Sequence, residues 1–366
     1  MKVCAVGLRG IPEIMGGIET HCEQLYTELC NEVKDIVILA RSPYVKSEFK
    51  FRENVRVIPI FTTKNKILET FLHTFISIFY ARLIIKPDIL HIHAIGPALF
   101  TPLAKLLGLK VIVTHHGSDY NRKKWNRFAK KILQLGEYLA IQYSDELIVV
   151  GATLTNELKA RYPSKAHKIS FIPNGCPRLF LDSDLDNVSI PTDINVEAGK
   201  YILFVGRLVP EKGVHDLIKA FSIASPDDTK LLIVGGTHFE DQYSKDLMSL
   251  STDNIIFAGR RTGKQLLAIY RLAKLFILPS YHEGLPIVAL EALSLSVPTL
   301  LSNISPHTDI GLKTENYFEI GNIHELSKRL LLPFPKAIDK GPILRKYNWT
   351  NIARETKLLL ENCNRL

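Results

Sequence analysis

The chain of 366 residues contains little cysteine, tryptophan or methionine: five, two and three residues respectively. The cysteines are odd in number, lie far apart and never occur at the C-x-x-C spacing, so the sequence predicts neither a disulfide framework nor a zinc site. This pattern is typical of the reducing cytosol. The most apolar stretch, residues 67–85, is interrupted by Glu69, His73 and Arg82 and is barely long enough to span a bilayer. We expect a core or interface-lying helix there rather than a transmembrane one.

Several motifs are also missing. The first apolar run, residues 3–8, is too short for a signal peptide and is predicted to be a buried first strand. The glycines at 7 and 10 and at 235 and 236 do not make the G-x-G-x-x-G spacing of a nicotinamide dehydrogenase. The D-x-D text at 182–186 lies in a polar stretch rather than after a strand, so we expect no cofactor and no essential divalent metal. The sequence contains no helix-turn-helix, zinc finger or stacking platform, so nucleic acid is not an expected partner.

The positive charge is concentrated in one segment. The whole chain has 46 lysines and arginines against 37 acidic residues, and residues 51–131 alone carry 14 basic and four acidic side chains. Residues 181–366 are almost balanced, with 21 basic and 22 acidic. A local excess of this kind indicates a specific anionic partner better than the net charge does.

Short apolar runs alternate with helical segments along the chain, and the alternation restarts after residue 198. This pattern predicts two doubly wound α/β domains with parallel sheets, at residues 1–180 and 200–345. The polar, acidic stretch 181–199 is the predicted linker. Open sheets of this kind bind ligands at the carboxyl ends of their strands, so two facing sheets would enclose an interdomain cleft.

The second half contains the two sharpest motifs. After the predicted strand 201–206, Arg207, Lys212 and a glycine open a helix, an arrangement that suits a diphosphate. After the predicted strand 275–280, Glu283 and Glu291 lie eight positions apart. Glu283 is expected on the loop and Glu291 inside an apolar helix that begins at Pro286, where an outward-facing glutamate would be unusual.

These motifs, G-R-x-x-x-x-K-G and P-S-x-x-E-G-L-P-x-x-x-x-E-A, occur together with a Gly-Gly-x-Glu loop near the N-terminus. The combination resembles the retaining nucleotide-sugar glycosyltransferases of family 4, which have the GT-B fold of two Rossmann-like domains. The likeness spans nearly the whole chain, and residues 346–366 resemble the last helix of such proteins, which crosses back to the first domain. The text at residues 6–21 further resembles a subgroup of bacterial surface-polysaccharide enzymes that includes rhamnosyltransferases.

The resemblance implies a role for each matching residue. Arg207 and Lys212 would hold the donor diphosphate, Glu291 the ribose hydroxyls, and Glu283 the transferred sugar. Other donor contacts are implied for glycines and loop amides and, near the base, for the end of strand 254–259. These residues are Gly16, Gly17, Gly284, Leu285 and Arg260.

Histidines in the first half follow predicted strands. The family pattern T-x-H-G aligns His116 with the histidine that faces the transferred sugar, and His115 is the competing choice. His93 ends a neighbouring strand and would either border the cleft or be a satisfied core histidine. Glu19 and His21, on the helix after the Gly-Gly loop, are weaker candidates.

The sequence departs from the family pattern at Ser296, where a glycine is usual, and the segment LSNISPHTDI lacks a common glycine-rich turn. Neither change affects the predicted diphosphate residues or the two glutamates. The alternatives to a transferase are a non-catalytic nucleotide-sugar-binding or scaffold subunit and a sugar-nucleotide epimerase or phosphorylase of the same fold.

A basic run interleaved with aromatic side chains is typical of an interfacial helix on an anionic membrane, or else of a solvated helix face. We expect the first domain to dock on the inner leaflet of the cell membrane and to reach a glycan or lipid-linked acceptor from the cytoplasm. The candidate membrane or acceptor residues are Arg122, Lys123, Lys124, Trp125, Arg127, Lys130 and Lys131.

Overall fold

Buried strands of mostly aliphatic residues form two sheets in the computed structural model, which describes residues 1–65, 68–122, 125–177, 188–237, 241–334 and 338–365. The chain divides into two compact units. One unit contains Met1–Asn174 and Trp349–Leu366, and the other contains Gly175–Asn348. Part of the predicted linker, residues 188–199, falls in the second unit, and residues 178–187 lie outside the described part of the chain.

The first unit is built on an eight-stranded sheet with the order β3-β4-β2-β1-β5-β6-β7-β8. Every neighbouring pair is parallel except β3 and β4, an antiparallel edge pair that the sequence analysis did not predict. The strands are β1 (Lys2–Val6), β2 (Asp35–Arg41), β3 (Phe49–Arg52), β4 (Val55–Ile60), β5 (Ile89–His93), β6 (Val111–His115), β7 (Glu146–Val149) and β8 (Ile169–Phe171).

Helices cover both faces of this sheet. Side chains alternate along β1, so that Val3 and Ala5 join one apolar cluster while Cys4 and Val6 join the other. The first cluster includes residues of α1 and α13, and the second includes residues of α2, α3, α4 and α5. The helices are α1 (Gly17–Leu29), α2 (Leu68–Tyr80), α3 (Thr101–Leu106), α4 (Arg127–Tyr143), α5 (Ala152–Arg161) and, at the end of the chain, α13 (Trp349–Arg365).

The second unit has a six-stranded, wholly parallel sheet with the order β11-β10-β9-β12-β13-β14. Its strands are β9 (Tyr201–Val205), β10 (Lys230–Val234), β11 (Ile255–Gly259), β12 (Leu275–Leu278), β13 (Thr299–Ser302) and β14 (Tyr317–Phe318). Its helices are α6 (Val214–Ala224), α7 (Gln242–Met248), α8 (Gly263–Arg271), α9 (Ile287–Ser294), α10 (Ser305–Thr308), α11 (Ile323–Arg329) and α12 (Lys340–Lys346). The expectation of two doubly wound α/β domains is therefore confirmed.

The prediction of a single helix through the basic run 122–131 is wrong. Arg122 ends a 3₁₀ turn and pairs with Asp119 at 2.5 Å, while α4 begins only at Arg127. The reason is local, because the side chain of Asn126 accepts the backbone N–H of Ala129 and so caps α4 at that point. Lys123 and Lys124 lie outside the described residues.

The apolar stretch near residue 70 forms α2, which continues into a π turn over Ala81–Ile85. The combined segment, Leu68–Ile85, is long and apolar enough to cross a bilayer, and 39% of it is buried in this unit. Core helices of soluble proteins meet the same two criteria, so length and composition do not decide its environment.

The end of α9 explains the departure at Ser296. The N–H of Val297 donates to the carbonyl of Ala292, and the N–H of Ser296 donates to that of Leu293, which is the Schellman pattern. Ser296 has φ of +57°, the left-handed conformation that this pattern requires and that glycine adopts without strain. The family's usual glycine therefore fits the backbone better than this serine does.

Replacing Ser296 with glycine should raise the free energy of unfolding by about 0.5–1 kcal/mol, because relief of the left-handed strain exceeds the added chain entropy. Chemical denaturation measures the difference. The matched control is Ser249→Gly at the end of α7, where φ is −67°. That change should stabilise nothing, and equal stabilisation by both changes would contradict the explanation.

Candidate functional site

The loop after β9 is shaped by close backbone contacts. Gly206 donates to the carbonyl of Val234, and a Cβ on Gly235 would lie 1.8 Å from the carbonyl oxygen of Gly206. The chain then makes a 3₁₀ turn over Pro210–Lys212 and enters α6 through Gly213, which has φ of +66°. This geometry places Arg207 and Lys212 at the carboxyl end of a strand, beside the start of a helix.

The loop after β12 packs directly against this turn. A Cβ on Gly213 would lie 2.1 Å from the carbonyl oxygen of Pro279, so only glycine allows the two loops to approach this closely. The N–H of Tyr281 donates to the carbonyl of Glu211 at 2.8 Å. The two predicted motifs are thus neighbours in space, as the adjacency of β9 and β12 requires.

Lys212 and Glu283 form an ion pair at the junction. Lys212 Nζ donates to Glu283 Oε1 at 2.5 Å, and Ser280 Oγ donates to the same oxygen at 2.7 Å. Both side chains are largely buried, with 14% and 10% exposed. Burial alone raises the pKa of Glu283, but Lys212 beside it holds that pKa below the ordinary value. The nearby ammonium thus offsets the cost of burying the Glu283 carboxylate.

His307 belongs to the same cluster and was not predicted. Its Nδ1 donates to the carbonyl of Ser302 at 2.8 Å, and Ser302 Oγ donates to the carbonyl of Ser280. Burial lowers the pKa of His307 to about 4 despite the nearby Glu283. Its Nε2 is buried without a hydrogen-bond partner among the described residues. Its position in the sequence could have predicted it, because His307 lies soon after the carboxyl end of β13.

Glu291 lies inside α9, as predicted, and is only 7% exposed. The hydroxyl of Tyr270 donates to Glu291 Oε2 at 2.9 Å. Burial raises the pKa of Glu291 to about 7, and this hydrogen bond only partly opposes the rise. A carboxyl of this kind changes charge near neutral pH.

The remaining predicted donor residues of the second unit are placed as follows. Arg207 and Gly284 are half-buried and Leu285 is buried, all on the two paired loops. Arg260 is exposed just after β11, and its neighbour Arg261 contacts Asp193 at 2.6 Å.

In the first unit, Gly16 and Gly17 lie at the start of α1. Gly16 has φ of +149°, and a Cβ there would lie 2.0 Å from the carboxylate of Glu19. Glu19 is buried and accepts from both the backbone N–H and the guanidinium of Arg9. Glu19 therefore ties the loop after β1 to the start of α1, which gives it a structural task.

The structure distinguishes the two competing histidines. His115 is fully buried, its Nε2 contacts Glu137 at 2.8 Å, and its Nδ1 accepts the N–H of Gly117. Both ring nitrogens are therefore in use. His116 is partly exposed, and its Nε2 contacts Nδ1 of His93 at 3.2 Å. Of the two, only His116 retains access to solvent.

Beneath His116, a buried chain of hydrogen bonds runs through the sheet. The hydroxyl of Tyr26 contacts His93 Nε2 at 2.8 Å and His91 Nδ1 at 2.9 Å, and His91 Nε2 contacts Thr114 Oγ1 at 2.7 Å. His93, left open by the sequence between cleft and core, is thus a satisfied core histidine that touches His116. Burial first, and neighbouring imidazoles second, hold the pKa values of His93 and His116 well below the ordinary value.

This series of hydrogen bonds allows two arrangements of the protons. If Tyr26 donates to His93, then His93 donates from Nδ1 to His116, and the proton of His116 is on its own Nδ1. If Tyr26 donates to His91, the direction reverses and His116 donates from Nε2, leaving its Nδ1 as an acceptor. The outer nitrogen of His116 can thus serve as donor or acceptor while the ring stays neutral.

Three of these histidines are also close enough to share a metal ion. One ring nitrogen from each of His21, His93 and His116 lies within 4.8 Å of the others. His21 is fixed by a hydrogen bond from Nδ1 to Asn174, and its Nε2 has no hydrogen-bond partner in the described residues. Imidazole nitrogens suit zinc and similar metals rather than magnesium. His93 and His116 are, however, already hydrogen-bonded to each other through one ring nitrogen of each.

Comparison with known proteins matches each unit separately. Residues 15–177 match the model of glycosyltransferase family 4, and residues 191–332 match that of glycosyl transferases group 1. The chain thus contains a glycosyltransferase family 4 domain followed by a group 1 glycosyl transferase domain. The family resemblance predicted from the motifs is confirmed at that level, and the surface-polysaccharide subgroup stays a prediction.

Curated relatives align with between about half and nearly all of the chain. An uncharacterized glycosyltransferase of Methanocaldococcus jannaschii is 26% identical and aligns over 97% of both chains. The capsular polysaccharide biosynthesis glycosyltransferase CapM of Staphylococcus aureus is 24% identical over 54% of both.

Solved structures with the GT-B fold share the architecture. Sucrose-phosphate synthase of Thermosynechococcus elongatus has a TM-score of 0.79 at 18% identity, covering 99% of this chain and 98% of that one. HepE of Anabaena, solved with UDP-glucose, has a TM-score of 0.71 at 13% identity, covering 99% and 100%. The predicted GT-B fold class is confirmed.

Exchanging Glu291 for glutamine should flatten the pH dependence of stability. Because the folded-state pKa is raised, the carboxyl favours folding most below its unfolded pKa, and this contribution is lost as pH rises through about 7. Between about pH 5 and about pH 8, the wild type should lose up to about 3 kcal/mol that the variant keeps. Thermal unfolding at several pH values measures this. Glu315→Gln, at an exposed carboxylate, is the control, and an unchanged profile in Glu291→Gln would refute the assignment.

Proposed function

We propose that the chain is a retaining glycosyltransferase, of the hexosyl- or rhamnosyltransferase type, that takes a sugar from a nucleotide-diphosphate sugar. Its acceptor is a glycan or lipid-linked glycan in bacterial surface-polysaccharide biosynthesis. The observation that carries the proposal is the buried contact between Lys212 and Glu283, which joins two loops at the carboxyl ends of neighbouring strands.

The chemistry of these loops suits a diphosphate with a sugar attached. Arg207 can form two parallel hydrogen bonds to phosphate oxygens, Lys212 adds a point charge, and the N-terminus of α6 adds oriented N–H groups. The HepE structure with UDP-glucose and the polysaccharide role in the name of CapM support a nucleotide sugar and a polysaccharide pathway.

In the proposed mechanism, charge grows on the leaving diphosphate as the sugar bond breaks. Cations at 207 and 212 then stabilise the transition state more than the ground state. Glu283 accepts from sugar hydroxyls, and Glu291 accepts from the ribose. The acceptor hydroxyl attacks the face of the sugar from which the diphosphate leaves, and the leaving phosphate assists this attack. The sugar therefore retains its configuration.

The first unit contributes in the proposal through His116, which orients the sugar from its outer nitrogen, and through amides at Gly16 and Gly17 near the β-phosphate. No divalent metal is required, because Arg207 and Lys212 neutralise the diphosphate. The protein works in the cytoplasm, peripherally on the inner face of the membrane, where its acceptor is presented.

A panel of nucleotide sugars, screened by thermal shift, tests the donor site. A ligand that binds only the folded protein raises the unfolding temperature in proportion to its occupancy. We expect at least one nucleotide-diphosphate sugar to do so equally well with and without EDTA. Arg207→Gln should abolish most of the shift, whereas Lys219→Gln, at an exposed lysine of α6, should not.

Turnover separates a transferase from a binding subunit. With the ligand identified, release of nucleoside diphosphate reports sugar transfer to acceptor or, slowly, to water. Glu283→Gln should lower kcat/KM for this release while donor binding persists, because the amide oxygen of the glutamine can still accept from Lys212 and Ser280 and so keep the two loops joined. Unchanged kcat/KM would refute the role of Glu283, and restoration of activity by magnesium after EDTA would refute metal independence. Donor binding without turnover would favour the scaffold alternative, and conversion of the donor sugar without acceptor would favour the epimerase.

A further inference from the structure

The helix Leu68–Ile85 presents much of its apolar surface outward. Its buried residues include Glu69, His73, Thr74 and Ser77. Its exposed residues include Leu68, Phe75, Leu83 and Ile84. Ile78, Ala81 and Ile85 also face inward, so the helix does contribute to the core. A surface helix normally has the opposite distribution of polar and apolar residues.

The inward polar residues fix this orientation. Glu69 pairs with Arg41 at 2.9 Å, and both side chains are almost fully buried. Thr62 Oγ1 donates to the carbonyl of Glu69 at 2.7 Å. Rotating the helix to hide its apolar face would break this ion pair and leave a buried charge without its partner. The outward apolar face is therefore built into the fold.

The outward residues form one continuous surface. A shallow groove on it is lined by six apolar or aromatic side chains: Phe75, Ile76, Phe79, Tyr80, Leu83 and Ile84. The rings of Phe75 and Phe79 are in edge contact at 5.1 Å. Exposed apolar patches that are contiguous, rather than scattered singly, mark surfaces that bind another partner.

Cations flank this surface. Lys64, Arg82 and Lys86 are exposed before, on and after the helix. The surrounding stretch 51–131 has 14 basic and four acidic residues. Some of these basic side chains are paired elsewhere, Arg56 with Glu48 and Lys105 with Asp145, so the cations that flank the apolar face are Lys64, Arg82 and Lys86. An apolar face rimmed by cations is complementary to anionic lipid headgroups over acyl chains.

We propose that the apolar face of Leu68–Ile85 docks in the plane of an anionic phospholipid bilayer. Docking rests on the proposed function only because the enzyme would find its lipid-linked acceptor at the bilayer surface. The helix lies in the interface rather than crossing the membrane, because its other face is held in the core by the Arg41–Glu69 pair and by Ile78, Ala81 and Ile85. Leu83 and Ile84, on the π turn, enter the acyl boundary. The basic run that begins α4 is a neighbouring contact, since α2 and α4 both pack on the turn Pro97–Phe100.

Flotation of the full chain with vesicles tests the docking surface. The chain should float with phosphatidylglycerol–phosphatidylethanolamine vesicles, should float less as salt is raised, and should not float with phosphatidylcholine alone. The double change Leu83→Gln and Ile84→Gln should weaken binding at least about tenfold, because two side chains no longer enter the apolar phase.

The second unit supplies a matched control. Leu331 and Leu332 are also adjacent, and they are 61% and 54% exposed against 64% and 63% for Leu83 and Ile84. Leu331→Gln with Leu332→Gln should float like the wild type. Equal loss in both double variants, or no loss in either, would overturn the proposal. Resistance of the membrane-bound protein to alkaline carbonate would also overturn it, since that indicates a crossing helix. Light scattering could instead show a wild-type dimer that does not bind vesicles and that becomes monomeric only in the 83/84 variant. That result would assign the face to a second copy of the chain.

Failure of docking is distinguishable from failure of the proposed function. The thermal shift with a nucleotide sugar needs no membrane, and the 83/84 variant should retain it in full. A retained shift without flotation refutes docking alone. Flotation without any nucleotide-sugar shift refutes the donor site alone.

Discussion

The buried pair of Lys212 and Glu283 is the interaction on which the candidate site of the second unit depends. It joins the turn after β9 to the loop after β12, and Gly213 permits their backbones to meet. Removing either partner would leave an uncompensated charge in a largely buried position, which is costly. The intact ion pair therefore holds the two loops together, and it positions Arg207 and the start of α6 with them.

The candidate site of the first unit uses a different principle. Burial lowers the pKa values of His93 and His116 well below the ordinary value, and each of these rings is oriented by a hydrogen bond. Tyr26 links His91 and His93 in a chain that ends at His116. A neutral imidazole can donate or accept a hydrogen bond without adding charge, which suits the orienting role proposed for His116.

Local patterns predicted most of the fold. Continuous apolar runs located the main parallel strands, and the helix expected directly after Arg207, Lys212 and a glycine is α6, Val214–Ala224. The antiparallel pair β3–β4 was missed because its strands are short and partly charged. The cap at Asn126 overrode the basic run as a helix signal. Tyr26 was missed because its role arises from contacts with His91 and His93, which are distant in sequence, and spacing does not encode such contacts. His307 was missed although its position soon after β13 was an available signal.

Amide hydrogen exchange with added nucleoside diphosphate tests the central claim most directly, that the paired loops form the donor site. Exchange reports local opening, which a bound ligand suppresses where it contacts the backbone. We predict slower exchange in peptides covering residues 206–214 and 280–292. Binding that leaves both peptides unchanged, or that protects only other segments, would contradict the account.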